Sequence, residues 1–260
     1  YVIPLPTRGV AIDGAYKDWG FEDNLYNWTP PEYAGLTEAA QVVAGPQAWS
    51  GKAQLSGRFA FMMDDRCLYV LGLVADAAPF VGNNPNPWQN DSIELFLDFQ
   101  PSGADLREGR DLARNGAQIV FDCGENRERT AVFVRRKPVE VAVERKTVAE
   151  TWLIDGQQAR GYILEAAIPL KCLPMPERKP GAVITYSLKL NDSSGLALLL
   201  APENLQPDGH SRAFRKAHVE FVLETETVIK LGPMAREVFW SERYTPGEGR
   251  LRIWDERMSH

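Results

Sequence analysis

Several features that mark other classes of protein are scarce in this sequence. No apolar run approaches the roughly 20 residues that a membrane-spanning helix needs, so we expect no membrane span. The three cysteines, Cys67, Cys123 and Cys172, are widely spaced and form no CxxC pair, which disfavours a zinc site. The three cysteines could form one disulfide and leave one free thiol, or all three could be buried thiols; both alternatives remain open. Lys and Arg are scattered and the net charge is −6, so we expect no nucleic-acid partner.

Short apolar runs with a period of two residues dominate what is present, and this period is typical of strands. Gly, Pro, Asn and Asp separate the runs, as turns require. Many strands with few helices predict an all-β fold, an antiparallel β-sandwich. The predicted strands are Gly57–Met63, Cys67–Ala75, Ser92–Phe99, Ala117–Cys123, Thr130–Arg135, Val139–Val148, Tyr162–Ile168, Val183–Leu190 and Val219–Leu223.

Two predictions concern the rest of the chain. Short helices are expected at Asp105–Arg114 and Met234–Trp240. We expect residues 1–223 to form the sandwich domain and residues 224–260 to form a C-terminal extension, which keeps Trp240 and Trp254 and therefore packs on the domain.

The segment Asn86–Asp98 (NPWQNDSIELFLD) contains the most informative pattern. Pro and Asn predict an ordered loop over Val81–Asn90, with Trp88 near its end. Alternation along the strand that follows separates two faces, Ile93, Leu95, Leu97 and Phe99 against Glu94, Phe96 and Asp98. An indole stacks on the apolar face of a pyranose, and a carboxylate accepts hydrogen bonds from adjacent hydroxyls. Trp88 and Glu94 are therefore candidate sugar contacts; the alternative is a loop anchor and a solvated strand residue.

The sequence contains no convincing catalytic set. It has no GxSxG motif, and its three histidines lie in the last quarter of the chain. Glu94 and Asp98 share a strand face, but their Cα atoms should be about 13 Å apart. That separation disfavours a glycosidase pair, whose carboxyl groups lie about 5–9.5 Å apart. We therefore expect that the protein is not an enzyme. Hydrolysis stays open as an alternative, because a cross-strand pair of Glu94 with Asp122 could lie closer.

Five blocks in this order resemble the family 9 carbohydrate-binding modules that accompany xylanases and other polysaccharide-degrading enzymes. They are IDGAYKDW (Ile12–Trp19), MMDDRCLYVLGLVADAAP (Met62–Pro79), NPWQNDSIELFLD (Asn86–Asp98), GYILEAAIPL (Gly161–Leu170) and LKLNDSSG (Leu188–Gly195). The resemblance implies a β-sandwich related to DOMON domains, a sugar ligand held between two tryptophans, a structural calcium and a role in polysaccharide catabolism. It also implies that Trp19 is a core residue.

The resemblance assigns roles to particular positions, with departures. Trp88 matches the first tryptophan and Glu94 the acidic hydrogen-bonding residue. The arginine and asparagine that the family places on the strand Ala117–Cys123 are here Val120 and Asp122. Asp122 is still an acceptor for hydroxyls, whereas Val120 cannot replace a guanidinium donor.

The family's second tryptophan belongs in the loop Ala201–Lys216, which contains none. His210 or Phe214 is expected to supply the second wall of the site, and Asn204 to stand in for the family's loop asparagine. The same sugar bound in the same way therefore does not follow from the resemblance.

Calcium and localisation are further expectations. Asp76 and Asp91 flank the Trp88 loop and are candidates for the calcium that the family carries, since calcium takes six to eight oxygen ligands. Asn191 and Asp192 are interpreted as turn-capping residues rather than ligand contacts. The chain opens at Tyr1 without a signal-peptide pattern, which fits a mature secreted or periplasmic protein or a trimmed one.

Two alternatives to sugar binding are kept. One is a haem-binding module like other DOMON relatives, with Met62, Met63 and Lys189 as candidate axial ligands. The other is a structural domain of a secreted glycan-degrading protein, without a ligand of its own.

Overall fold

The computed structural model describes residues 2–3, 10–19, 34–99, 116–174, 183–200, 202, 205, 215–219, 223–224 and 250–251. Strands dominate this part of the chain. They are β1 (Val2–Ile3), β2 (Ala34–Leu36), β3 (Val42–Ala44), β4 (Leu55–Met63), β5 (Cys67–Asp76), β6 (Ser92–Asp98), β7 (Gly116–Asp122), β8 (Thr130–Val134), β9 (Lys137–Val139), β10 (Glu144–Ile154), β11 (Gln157–Pro169), β12 (Val183–Asn191), β13 (Ala197–Leu199), β14 (Arg215–Val219), β15 (Leu223–Glu224) and β16 (Arg250–Leu251). Short 3₁₀ turns lie at Tyr16–Trp19, Ala39–Gln41, Pro87–Gln89 and Leu170–Cys172.

Two sheets carry most of these strands. Sheet I runs in the order β1-β14-β12-β6-β7-β8-β9, with β13 also paired to β12 and β3 paired to β13. Sheet II runs in the order β10-β11-β5-β4-β2. Among the described strands, the pairings are antiparallel except for β1 with β14, which is parallel. β15 and β16 form a separate pair. The predicted antiparallel β-sandwich is confirmed.

Alternation along each strand builds the core between the sheets. On β6, Ile93, Leu95 and Leu97 are at most 2% exposed and pack with side chains from β4, β5 and β11 of sheet II. The intervening Glu94 and Phe96 point to the outer face of sheet I. The sequence pattern predicted both faces correctly. This outer face, on β12, β6, β7 and β8, is where the candidate site lies.

The outer face of sheet II is buried separately. Trp19 packs there with Met62, Leu71 and Trp152, and it is 3% exposed, so its predicted core role is confirmed. Its indole Nε1 donates to Glu165 Oε1 at 2.7 Å, which satisfies both polar groups in this apolar layer.

One predicted strand is wrong. Val139–Val148 was predicted as a single strand, but the structure ends β9 at Val139 in sheet I and begins β10 at Glu144 in sheet II. Val141 and Val143 pack against the core from the crossover between the sheets. Apolar alternation therefore continues across the break and hides it.

The predictions near the chain's end have mixed outcomes. In place of the predicted strand Val219–Leu223, strands end at Val219 and begin again at Leu223. The helices at Asp105–Arg114 and Met234–Trp240 fall outside the described residues, and the boundary near residue 223 stays a prediction. In the parts of the chain that the structure describes, no helix is long and apolar enough to cross a membrane.

Candidate functional site

The Trp88 loop, Val81–Asn90, leads into β6 and is held by its own polar groups. Asp91 Oδ2 accepts the Val81 amide at 2.7 Å, and the Asp91 amide donates back to the Val81 carbonyl at 3.0 Å. Asn90, which is 1% exposed, accepts the Asn84 amide and donates to the Asn84 carbonyl. The loop presents Trp88 from the turn Pro87–Gln89 with 39% of its surface exposed. An exposed indole on an ordered loop is a preformed stacking surface.

Arg129 ties the loop to sheet I. Its Nη1 donates to the Pro85 carbonyl at 2.9 Å and its Nη2 to the Asn84 carbonyl at 2.7 Å. The same guanidinium forms an ion pair with Asp122, through Nε at 2.8 Å and through Nη2. Sequence reasoning missed Arg129, because a loop arginine before a strand has no pattern that links it to residues 84 and 85.

Two glycines allow the loop to pass close to the end of β7. Gly82 has a φ of 104°, and a Cβ there would lie 2.6 Å from Asn90 Oδ1. A Cβ on Gly124 would lie 2.4 Å from the Gly82 carbonyl oxygen. Both positions therefore require glycine, one for its backbone conformation and both for space.

Trp88 contacts an aromatic residue on the sheet. Its ring lies 6.4 Å from that of Phe133, centroid to centroid, with an angle of 59° between the planes. Phe133 is half-buried on β8, where it faces Gln118 on β7. The two rings form an aromatic pair where the Trp88 loop meets the outer face of sheet I.

Glu94 is the centre of a polar cluster on the outer face of sheet I. Its Oε2 accepts from Gln118 Nε2 at 2.7 Å, and its Oε1 accepts from Asn191 Nδ2 at 2.9 Å. Lys189 Nζ lies 3.3 Å from Oε1. Glu94 is 3% exposed, so it is not a solvated strand residue. Gln118 and Lys189 are the partly exposed members of this cluster, which we call the Glu94 cluster.

Two predictions about this face need correction. Asp122 has no exposed oxygen for a sugar hydroxyl: the residue is fully buried, Oδ1 accepts the Gly124 amide, and Oδ2 accepts Arg129 and Asn90. In the structure, Asp122 anchors the Trp88 loop to the end of β7. Of the two residues predicted to cap a turn, Asp192 does so, since its Oδ1 accepts the Ser194 amide at 2.7 Å, whereas the Asn191 side chain donates to Glu94 and to Ser92 Oγ.

A second cluster contains three carboxylates beneath the Trp88 loop. Oxygens of Asp76, Asp91 and Asp192 lie within 4.8 Å of one another. Burial and the nearby Asp91 charge raise the pKa of Asp76 to about 7, and burial raises the pKa of Asp91. Asp76 Oδ2 is buried and has no hydrogen-bond partner. Three converging carboxylates with an orphaned oxygen suit a hard cation such as Ca²⁺.

The chain matches the family described as "Carbohydrate family 9 binding domain-like" over residues 32–197, more than half of its length. It belongs to this family.

Proteins similar to the chain are consistent with that membership. It is 28% identical over 137 residues to endo-1,4-β-xylanase A of Thermotoga maritima and, equally, to that of Thermotoga neapolitana. These alignments cover 51% of the chain and 10% of either enzyme. A family 9 carbohydrate-binding module from Caldicellulosiruptor kristjanssonii, solved with cellotriose, is similar in fold, with a TM-score of 0.51 and 19% identity over 90% of this chain and all of that one.

The family 9 site is only partly described in this structure. Asn204, His210 and Phe214 lie outside the described residues, so their contact with sugar stays a prediction. Val120 is fully buried beside Glu94 and offers no donor. Lys189, on the opposite neighbouring strand, places a cation against Glu94 instead. The sequence pointed to this residue by placing a lysine at an outward-facing position of the otherwise apolar strand β12.

The residues considered for haem do not converge in this family 9 domain. Met63 packs between the sheets, and Met62 packs on the outer face of sheet II. Lys189 lies on the outer face of sheet I, paired with Glu94. The three side chains occupy three different layers of the sandwich, so they provide no axial pair for one iron.

Proposed function

We propose that this domain binds a saccharide on the outer face of sheet I, without catalysis, and that Trp88 is its stacking platform. The observation that carries the proposal is an exposed indole on an ordered loop, connected through Phe133 and Gln118 to the buried, hydrogen-bonded carboxylate of Glu94. Aromatic stacking with a few hydrogen bonds supports an affinity near 1 mM, about −4 kcal/mol. The cellotriose bound to the Caldicellulosiruptor module is in keeping with such a ligand.

The Glu94 cluster supplies the polar half of the proposed site. Gln118 and Lys189 are partly exposed, so their amide and ammonium groups are available to sugar hydroxyls. Glu94 orients both side chains, because it accepts a hydrogen bond from Gln118 and pairs with Lys189. Its Oε2 can accept one more hydrogen bond, from a sugar hydroxyl. A buried carboxylate with partly exposed partners orients donors before the ligand arrives, which reduces the ordering cost of binding.

The carboxylates of this face support binding rather than hydrolysis. Asp122 is ion-paired with Arg129 and fully buried, so it is in no position to activate water or protonate a leaving group. Glu94 and Asp98 are four residues apart on β6, which separates their Cα atoms by about 13 Å. Neither arrangement matches a pair of glycosidase carboxyl groups.

The acidic cluster is proposed as a structural calcium site. Asp76, Asp91 and Asp192 would supply carboxylate oxygens, and the bound ion would neutralise charges that are now buried together. Asp91 also accepts the Val81 and Ser193 amides, so an ion there would brace the start of the Trp88 loop against the turn after β12.

We further propose that the domain works outside the cytoplasm as part of a polysaccharide-degrading system. The xylanases to which it is similar favour this setting, although the chain spans only a tenth of their length. A glycan array run with and without calcium tests the function: neutral plant-type oligosaccharides should be retained. Retention of no glycan under either condition would instead favour a structural domain without a ligand.

A further inference from the structure

The β8–β9 hairpin leaves a cleft open at one edge of sheet I. β9 pairs with β8 only across Val132–Val134, and after Val139 the chain leaves for sheet II. The gap between the start of β8 and this crossover has a volume of about 710 Å³. We call it the hairpin cleft; its lining includes Thr130, Ala131, Phe133, Pro138, Glu140 and Ala142.

This cleft is continuous with the proposed sugar site. Phe133 lines the cleft and also contacts Trp88, with 6.4 Å between ring centroids. Pro138 is the cross-strand partner of Phe133, so both side chains lie on the same face of the sheet. Trp88, Phe133 and Pro138 thus form an apolar row that runs from the loop to the sheet edge. Gln118, the partner of Phe133 on its other side, links the row to Glu94.

The chemistry of the cleft suits a neutral sugar ring. Phe133 and Pro138 offer apolar surface for pyranose C–H groups, and the exposed Glu140 carboxylate offers hydrogen-bond acceptors. Glu140 is the one charged residue among those that line the cleft in the described structure. A negative charge there would repel a carboxylated sugar and accept hydroxyls from a neutral one.

We propose that the hairpin cleft holds the second and following residues of a neutral glycan chain whose first residue stacks on Trp88. This inference rests on the proposed function and extends it. It makes the domain a binder of chains, whose affinity rises with chain length.

Calorimetry with glucose and cellotriose, and with xylose and xylotriose, tests both claims separately. Binding of the monosaccharide reports on Trp88 and the Glu94 cluster. The ratio of trisaccharide to monosaccharide affinity reports on the hairpin cleft. One added stacking contact predicts a ratio of about two- to tenfold for at least one of the two series.

Two variants separate a sugar contact from a support for Trp88. Phe133→Ala removes the ring, and Phe133→Leu keeps apolar bulk behind Trp88 while removing the flat face, so it also serves if the alanine variant fails to fold. Both should reduce the ratio to about one, and Phe133→Leu, which keeps support behind Trp88, should bind the monosaccharide with an affinity near that of the wild type. Leu153→Ala, at an exposed position on sheet II, is the matched control and should change neither.

Each contrary outcome has its own meaning. A wild-type ratio of one, with monosaccharide still bound, would overturn the cleft and leave the Trp88 site intact. Equal losses of monosaccharide and trisaccharide affinity in Phe133→Leu would make Phe133 a support for Trp88 and also overturn the cleft. Failure of the wild-type protein to bind any of the four sugars would overturn the cleft together with the proposed function.

Discussion

Arg129 pairs with the buried carboxylate of Asp122 while it donates to two carbonyls of the Trp88 loop, so one guanidinium joins the loop to β7. Asp122 is fully buried, and it also accepts from Asn90. The loop that carries the exposed indole is therefore held by charge as well as by turns. Lysine could not replace this arginine, since it lacks the planar fork that reaches several acceptors at once.

Arg129→Ala should loosen the loop and weaken sugar binding. It leaves the Asp122 charge buried without its partner, which should cost about 1–3 kcal/mol of unfolding free energy, measured by denaturant titration. Adding Asp122→Asn removes the orphaned charge and should recover part of the stability but not the affinity, because the carbonyls of residues 84 and 85 still lack their donor. Arg66→Ala, at an exposed position in the turn between β4 and β5, is the control. Full recovery of affinity in the double variant would contradict a positioning role.

Glu94→Gln should weaken both stability and binding. The neutral amide loses the ion pair with Lys189 and sets an NH₂ group against the amide of Gln118 or Asn191. A mismatched buried group should cost about 1–3 kcal/mol, seen as a lower Tm. Lys189→Met keeps the hydrogen bonds from the Gln118 and Asn191 side chains to Glu94, so it should lower the Tm less than Glu94→Gln does. Unchanged Tm and unchanged calorimetric affinity in Glu94→Gln would show that the cluster is not built as described.

Gly82→Ala should disturb the Trp88 loop more than the strain of a positive φ at residue 82 would do by itself. The matched control is Gly51→Ala: Gly51 has a φ of 130°, and a Cβ there meets nothing within 4 Å. Both variants carry the strain of a positive φ, but only the first places a methyl group 2.6 Å from Asn90 Oδ1. Tryptophan fluorescence and calorimetry should show loss of binding in Gly82→Ala alone. Equal behaviour of the two variants would mean that the close approach to Asn90 is unimportant.

Calcium should raise the stability of the domain. An ion held only by the folded state contributes about 2.7 kcal/mol at a hundred times its Kd. For a domain of this size that corresponds to a Tm about 5–10 °C higher, and a chelator should reverse it. Asp76→Asn should abolish the calcium response and raise the Tm of the ion-free protein, because it removes one of three clustered charges.

Asp155→Asn is the control for that experiment. Asp155 is an exposed turn carboxylate with a φ of 49°, a conformation that Asn tolerates well. It should leave the calcium response unchanged. A wild-type Tm that ignores both calcium and chelator, with no metal found by elemental analysis, would dismiss the site.

The sequence predicted the layers of the sandwich better than the contacts on its face. Period-two alternation is enough to place Ile93 and Leu95 inside and Glu94 outside, because one face of each strand must be buried. It failed at Val139–Val148, where a crossover keeps the same alternation.

Contacts on the face depend on which strands are neighbours, and one sequence does not specify this. Gln118 and Lys189 lie on either side of Glu94 only because β7 and β12 both pair with β6. The resemblance made Asp122 a candidate ligand group, yet its carboxylate accepts from Arg129, seven residues away. Long-range partners of this kind require the fold before they can be named.

Replacement of Trp88 by alanine, followed by calorimetry with cellotriose and a thermal melt, tests the central claim most directly. The side chain is 39% exposed, so the variant should stay folded with a Tm near that of the wild type. Loss of stacking should cost about 0.5–1.5 kcal/mol beyond the buried area, a large share of an affinity near −4 kcal/mol, and binding should disappear. Leu153→Ala, which shortens an apolar side chain that is 68% exposed on sheet II, should bind as the wild type does. Undiminished cellotriose binding by a folded Trp88→Ala variant would contradict the account.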